Sequence, residues 1–131
     1  MRLTFVKKLS CILIVTMVLA MVTLLPATPA LSHGEAKAQH GGQIQSRHDL
    51  AVELVRHSES IELHLTDHGD AIDPTGWQGK ITVLAAGQKQ DIPLVVTGPT
   101  LSAGLSLPDG AKVVVSLTNP QQQRFSFRYS F

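Results

Sequence analysis

Short runs in which apolar and polar residues alternate are the feature that most limits what this chain can fold into. In residues 61–66, Ile, Leu and Leu alternate with Glu, His and Thr, and residues 124–131 alternate between aromatic and polar side chains. A period of two places successive side chains on opposite faces of a β-strand. Clusters of Gly, Pro, Asn and Asp separate these runs and predict tight turns between strands.

The spacing of the runs predicts about seven strands and no helix of normal length. The expected strands are 48–57, 60–67, 80–86, 90–97, 101–107, 111–117 and 124–131. Such a pattern predicts an all-β fold, a small immunoglobulin-like β-sandwich with a barrel as the neighbouring architecture. Because proline cannot donate a ladder hydrogen bond, Pro93 predicts that its strand lies at a sheet edge.

The first thirty residues predict a targeting segment rather than part of this fold. A basic start is followed by an apolar run over 9–25 and by small residues that end at Ala30. This is the pattern of a secretory signal peptide over 1–30, with cleavage expected after Ala30, or after Ala27 as the second choice. An uncleaved anchor is the alternative, since the run is near the lower length limit for a spanning helix.

Removal of the signal would change the chemistry of the chain. The precursor has 11 Lys+Arg, 10 Asp+Glu and one cysteine. Three cations and Cys11 lie in the signal, so the mature chain would carry a net charge of −2 and no disulfide. We therefore expect a periplasmic or secreted protein that does not bind nucleic acid and has no membrane association after cleavage.

Histidine distribution is the main anomaly of the mature chain. All six histidines precede Gly69. Residues 31–42 are polar and glycine-containing and predict a flexible arm that carries His33 and His40, ahead of a β-sandwich domain over 43–131. Because this arm is expected to be flexible, His33 and His40 could close over an ion bound on the sheet.

A hairpin register brings further histidines beside carboxylates. If Ser58-Glu59 is a two-residue turn, residues whose numbers sum to 117 face each other, so that apolar pairs share a buried face. On the opposite, solvent-facing side, Glu53 then faces His64 and Asp49 faces His68.

Imidazole and carboxylate groups in this arrangement predict a divalent-metal site. Neutral imidazole and carboxylate suit Zn²⁺, Cu²⁺ or Ni²⁺, whereas the absence of thiolate and thioether ligands argues against a Cu(I) carrier. Ordinary surface pairing is the alternative, because exposed strand positions readily accept these residue types. The candidate ligands, with His48 included from the resemblance described next, are His40, His48, Asp49, Glu53, His64 and His68. On position alone, His48 and His57 at strand ends are ordinary surface residues.

Several segments resemble a known family. These are HGG at 40–42, residues 48–55, 61–67 with Gly69, 79–84, 110–115 and 124–127. Together they resemble the small periplasmic β-domain of heavy-metal efflux adaptor proteins of the copper/silver and cobalt-zinc-cadmium type, which also occurs as stand-alone exported proteins. The resemblance implies a role in metal homeostasis or efflux and an efflux-system protein as partner. It also implies that His40, His48 and Glu53 occupy the matching motif positions.

The chain lacks the helical hairpin, lipoyl and barrel parts of such an adaptor, so it cannot bridge a pump to an outer-membrane channel by itself. No nucleophile-elbow context or thiol supports catalysis, and we expect no enzyme activity. The expected function is an exported module that binds a divalent metal ion weakly. The alternative is a ligand-free interaction module that docks a partner protein through a sheet edge.

Overall fold

The computed structural model describes residues 36–131, and these residues form strands, turns and loops. No helix in this range is long and apolar enough to cross a membrane. The ten strands are β1 (Gln43–Arg47), β2 (Leu50–Arg56), β3 (Ile61–Asp67), β4 (Asp70–Ala71), β5 (Gln78–Ala85), β6 (Gln88–Pro93), β7 (Val95–Thr97), β8 (Thr100–Ala103), β9 (Lys112–Thr118) and β10 (Arg124–Ser130).

The strands form two antiparallel sheets. Sheet A has the order β1-β2-β3-β8-β7, with the short β4 paired to β3, and sheet B has the order β10-β9-β5-β6. The predicted all-β sandwich is confirmed. The predicted signal peptide over 1–30 and His33 lie outside the described residues.

The core consists of the inward side chains of both sheets. In sheet A these include Leu54 and Leu63, and in sheet B they include Ile81 and Val115, all fully buried. Strands β3 and β9 contribute every second residue to this core, as the alternating pattern requires. Burial of such a side chain contributes about 1.5–3 kcal/mol relative to exposure, so this core holds the fold without any disulfide.

The predicted hairpin register is confirmed. Leu54 pairs with Leu63 and Glu53 pairs with His64, as the sum of 117 requires. The turn at Ser58-Glu59 is closed by the amide of His57, which donates to the carbonyl oxygen of Ser60 at 2.9 Å. A shift of one residue would move the leucines of this hairpin to the outer face.

The sequence pattern missed strand β1. All five residues of β1 pair with β2, yet the segment QIQSR has a single apolar side chain, Ile44. A strand that is largely exposed at the edge of a sheet has little need for alternation, because neither of its faces enters the core. This strand is one reason why ten strands occur where about seven were predicted.

The predicted strand over 90–97 is wrong as a single element. It divides into β6 at the edge of sheet B and β7 at the edge of sheet A. The chain crosses between the sheets at Leu94, which is buried and donates its amide to the carbonyl oxygen of Gly79 at 2.9 Å. Pro93 therefore lies at a sheet edge, as predicted. The next predicted strand, 101–107, ends early, at Ala103.

Strands β1 and β2 of sheet A are joined by hydrogen bonds to β10 of sheet B. The Gln43 side chain donates to the carbonyl oxygen of Ser130 at 2.8 Å. The buried hydroxyl of Tyr129 donates to the carbonyl oxygen of Val52 at 2.8 Å, which joins sheet B to sheet A. Burial away from water raises the pKa of this hydroxyl, so it remains a donor.

Two leucine-to-alanine substitutions test where the core lies. Leu63→Ala removes a side chain with 0% exposure and should lower the free energy of unfolding by about 2–5 kcal/mol. Leu84→Ala makes the same change at a side chain that is 46% exposed and should cost no more than about 0.5 kcal/mol. Urea denaturation of both variants measures the difference, and equal losses would contradict this core.

Candidate functional site

The segment that precedes β1 lies on the outer face of the β2–β3 hairpin. Gly41 has a φ of +77°, a left-handed conformation that glycine adopts without strain. Gly42 is close to the backbone, since a Cβ atom there would collide with the carbonyl oxygen of Leu54. The two glycines after His40 thus allow the chain to turn and to contact β2 directly. The end of the predicted arm is in this way bonded to the sheet.

Glu53 is the anchor for this segment. Its carboxylate accepts backbone hydrogen bonds from Gln39 at 2.9 Å, from His40 at 2.8 Å and from Gly42 at 2.8 Å. The prediction that Glu53 faces solvent is wrong, because the residue is only 3% exposed. The outer face of β2 is covered at this point by the preceding segment.

The surroundings of Glu53 keep its carboxylate charged. Burial by itself would raise the pKa, but the backbone hydrogen bonds and the His40 side chain outweigh it and lower the pKa to about 2. A buried charge needs such partners, because water no longer solvates it. Glu53 is therefore an anion throughout the neutral and mildly acidic pH range.

Two imidazole rings stack beside this carboxylate. The rings of His40 and His64 are nearly parallel, with an interplanar angle of 5° and centroids 3.6 Å apart. Nδ1 of His40 lies 3.1 Å from Oε2 of Glu53. Desolvation, and then repulsion from His40, lower the pKa of His64, although Glu62 and Glu53 partly oppose this change. His64 is therefore neutral at pH 7.

Glu62 and His57 extend the same group of side chains. Oε2 of Glu62 lies 3.7 Å from Nε2 of His64 and 3.5 Å from Nε2 of His57. We use the term histidine cluster for His40, Glu53, His57, Glu62 and His64. Glu62 was absent from the predicted ligands, although its position two residues before His64 on one strand places both on the same face.

Asp49 and His68 form a separate group at the far end of the hairpin. Nε2 of His68 lies 3.3 Å from Asp49, and Nδ1 lies 2.7 Å from Asp67. The predicted pairing of Asp49 with His68 is thus confirmed. However, Asp49 is four residues from Glu53 along the strand, about 13 Å at 3.3 Å per residue. The structure therefore places five of the six predicted ligands in two separate groups.

His48 belongs to neither group. It lies in the turn between β1 and β2 with a φ of +55°, and its side chain is exposed. Within residues 36–131, no set of three or more His, Cys, Asp or Glu side chains is arranged to hold a metal ion directly. The stacked rings of the histidine cluster have parallel planes, so their lone pairs do not converge on one point without a change of ring orientation.

Acid unfolding tests the role of Glu53. The pKa of Glu53 is lowered from 4.5 to about 2 in the folded state. Its contribution to the free energy of unfolding is therefore complete above pH 4.5 and is lost as the pH falls through 2. The contribution is about 3 kcal/mol at 1.36 kcal/mol per pKa unit. The gap in unfolding free energy between wild type and Glu53→Gln, measured with urea, should shrink by this amount between about pH 5 and pH 2.

Glu59→Gln is the matched control for this measurement, since Glu59 is an exposed turn residue. Its difference from wild type should stay small throughout the same pH range. If the gap for Glu53→Gln does not vary with pH, the carboxylate does not anchor the segment.

Removal of His40 tests the stacked pair. His40→Ala should raise the pKa of His64, because it opens the His64 ring to solvent and removes the electrostatic effect of His40. Titration of the imidazole Cε1–H signals by NMR measures this change. His57→Ala, which removes a histidine that does not stack on His64, should leave the pKa of His64 where it was. An unchanged value in His40→Ala would refute the stack.

Comparison with known proteins adds little to this picture. No family model matches the chain, and no curated protein matches it significantly. One solved structure that is similar is the crystal structure of a Br derivative of BhCBM56, with 12% sequence identity and a TM-score of 0.43. The match covers 69% of this chain and 100% of that chain.

Proposed function

We propose that this protein is an exported, periplasmic module that binds a divalent transition-metal ion through His40 and His64. The observation that carries the proposal is the pair of imidazole rings 3.6 Å apart, one of which is held by a buried carboxylate. Clustered imidazoles suit Zn²⁺, Cu²⁺ or Ni²⁺.

Glu53 would act by orienting His40 rather than by binding the ion. Metal-binding histidines almost always donate their second ring N–H to a carboxylate or a carbonyl group, which fixes the tautomer. A charged Glu53 favours the proton on Nδ1 of His40 and leaves the lone pair on Nε2 for a metal. The oxygens of Glu53 already accept three backbone hydrogen bonds and are poorly placed as ligands.

His64 supplies a second donor that needs no deprotonation at neutral pH, because its pKa is lowered by burial and by His40. In a tetrahedral zinc site, two nitrogens at 2.0–2.1 Å from the ion are about 3.3 Å apart. Rings with centroids 3.6 Å apart would reach this geometry by tilting toward each other. Glu62, within 3.7 Å of His64, is a third donor of the right chemistry.

Weak and reversible binding is the expected behaviour. His40 is 46% exposed in its side chain, and water or a partner's ligand would complete the coordination. Such a site suits a buffer, a sensor or a module that delivers metal to an efflux-system protein. The link to efflux rests on the family resemblance of the sequence. Binding should weaken in acid, because protons compete with the metal ion for the imidazole nitrogens.

Calorimetric titration with Zn²⁺, Cu²⁺ and Ni²⁺ tests this proposal. Wild type should bind at least one ion with a Kd below about 100 µM, which corresponds to roughly −5.5 kcal/mol. His40→Ala and His64→Ala should each weaken binding at least about tenfold, since a lost ligand or its orienting partner typically changes affinity 10–100-fold.

His48→Asn and His68→Asn are matched controls, because asparagine tolerates the positive φ at both positions. Both variants should retain the wild-type affinity. Equal weakening by His68→Asn would place the ion at the far end of the hairpin instead. Absence of binding by wild type would favour the ligand-free interaction module.

A further inference from the structure

Cationic side chains are concentrated on the outer face of sheet B. Leu84 is exposed on this face, and the strand register pairs it with Lys89 and with Lys112. Paired residues share a face of the sheet, so both lysines lie on the outer face with Leu84. One carboxylate, Asp91, shares this face within the four strands of the sheet. The cationic residues of the face are Lys80, Lys89, Lys112, Arg124 and Arg128.

A shallow hollow of about 390 Å³ lies at one end of this face. Leu84 and Val114 contribute apolar surface to it, and Lys89, Lys112 and Arg128 surround them from three different strands. The volume lies within the range of small-molecule sites, which combine apolar surface with a few charged groups. Leu84 is 46% exposed, and a ligand with an apolar part would gain free energy by covering it.

Asp91 lies close to only two of the five cations on this face, Lys80 and Lys89. It accepts a hydrogen bond from Thr82 at 2.6 Å and pairs with Lys80 at 3.2 Å, while Lys89 is 3.9 Å away. No carboxylate within residues 36–131 lies within 4.0 Å of the Lys112 or Arg128 charge. These two cations are therefore available to an anion.

We propose that this hollow binds an amphiphilic anion, a phosphate or carboxylate head on an apolar body. The Arg128 guanidinium would contact the head with two parallel N–H donors, a geometry that suits both groups. The lysine ammonium groups would add charge, and the apolar body would lie on Leu84 and Val114. The site is on the sheet opposite the histidine cluster, so it is independent of the proposed metal binding.

The anion could come from a soluble amphiphile or from the headgroup of an anionic lipid, since both present the same chemistry. n-Octyl phosphate, used below its micelle-forming concentration, is a probe of this chemistry. In NMR titrations it should shift the amide signals of Leu84, Val114 and Arg128 with a Kd below about 1 mM. n-Octyl glucoside, which has the same chain and no charge, and inorganic phosphate, which has no chain, should each bind at least tenfold more weakly.

Variants on the same face locate the site. Arg128→Gln and Lys112→Gln should each weaken octyl phosphate binding at least fivefold, and Leu84→Ser should weaken it similarly. Arg124→Gln is the control, because Arg124 lies on the same strand and face but outside the hollow. His40→Ala should leave octyl phosphate binding unchanged, which separates this test from that of the metal site.

Cosedimentation with vesicles distinguishes the two sources. Binding to phosphatidylglycerol vesicles but not to phosphatidylcholine vesicles, lost in Arg128→Gln, would identify a lipid headgroup. Binding of octyl phosphate without vesicle binding would identify a soluble ligand. The proposal is overturned if wild type fails to bind octyl phosphate, if octyl glucoside binds equally well, or if Arg124→Gln and Arg128→Gln have the same effect.

Discussion

The pairing of β2 with β3 determines which side chains enter the core and which meet the arm. Leu54 opposite Leu63 and Glu53 opposite His64 are consequences of one two-residue turn. A slip of one position would put charged groups between the sheets and leucines in water, at a cost of several kcal/mol. The core, the histidine cluster and the hairpin-end group of Asp49 and His68 all depend on this register.

Glu53 then binds the segment that precedes β1 to that hairpin. A carboxylate taken out of water is unfavourable unless other groups replace its hydration. Three backbone N–H groups and the His40 ring do so here, which also orients the ring on His64. The same contacts that satisfy the charge therefore hold His40 in place. The hydrogen bonds to the Glu53 carboxylate thus fix both the position of the segment and the geometry of the histidine cluster.

Much of the fold was predictable from sequence, because a period of two and a short turn specify strand faces and register. What could not be predicted were features without a periodic signal. Strand β1 is exposed and lacks alternation, and the crossing at Leu94 interrupts a run that reads as one strand. Glu53 is covered by residues that the sequence predicts to be a flexible polar arm. Local patterns contain no information about such contacts between distant segments.

The two outer faces of the sandwich differ in the sign of their charge. Glu53, Glu62 and the aspartates of the hairpin end lie with sheet A, whereas most of the lysines and arginines lie on sheet B. The domain thus has an electric dipole directed across its thickness, although its net charge is small. Such a dipole orients a molecule as it approaches a charged surface and steers cations and anions to opposite sides.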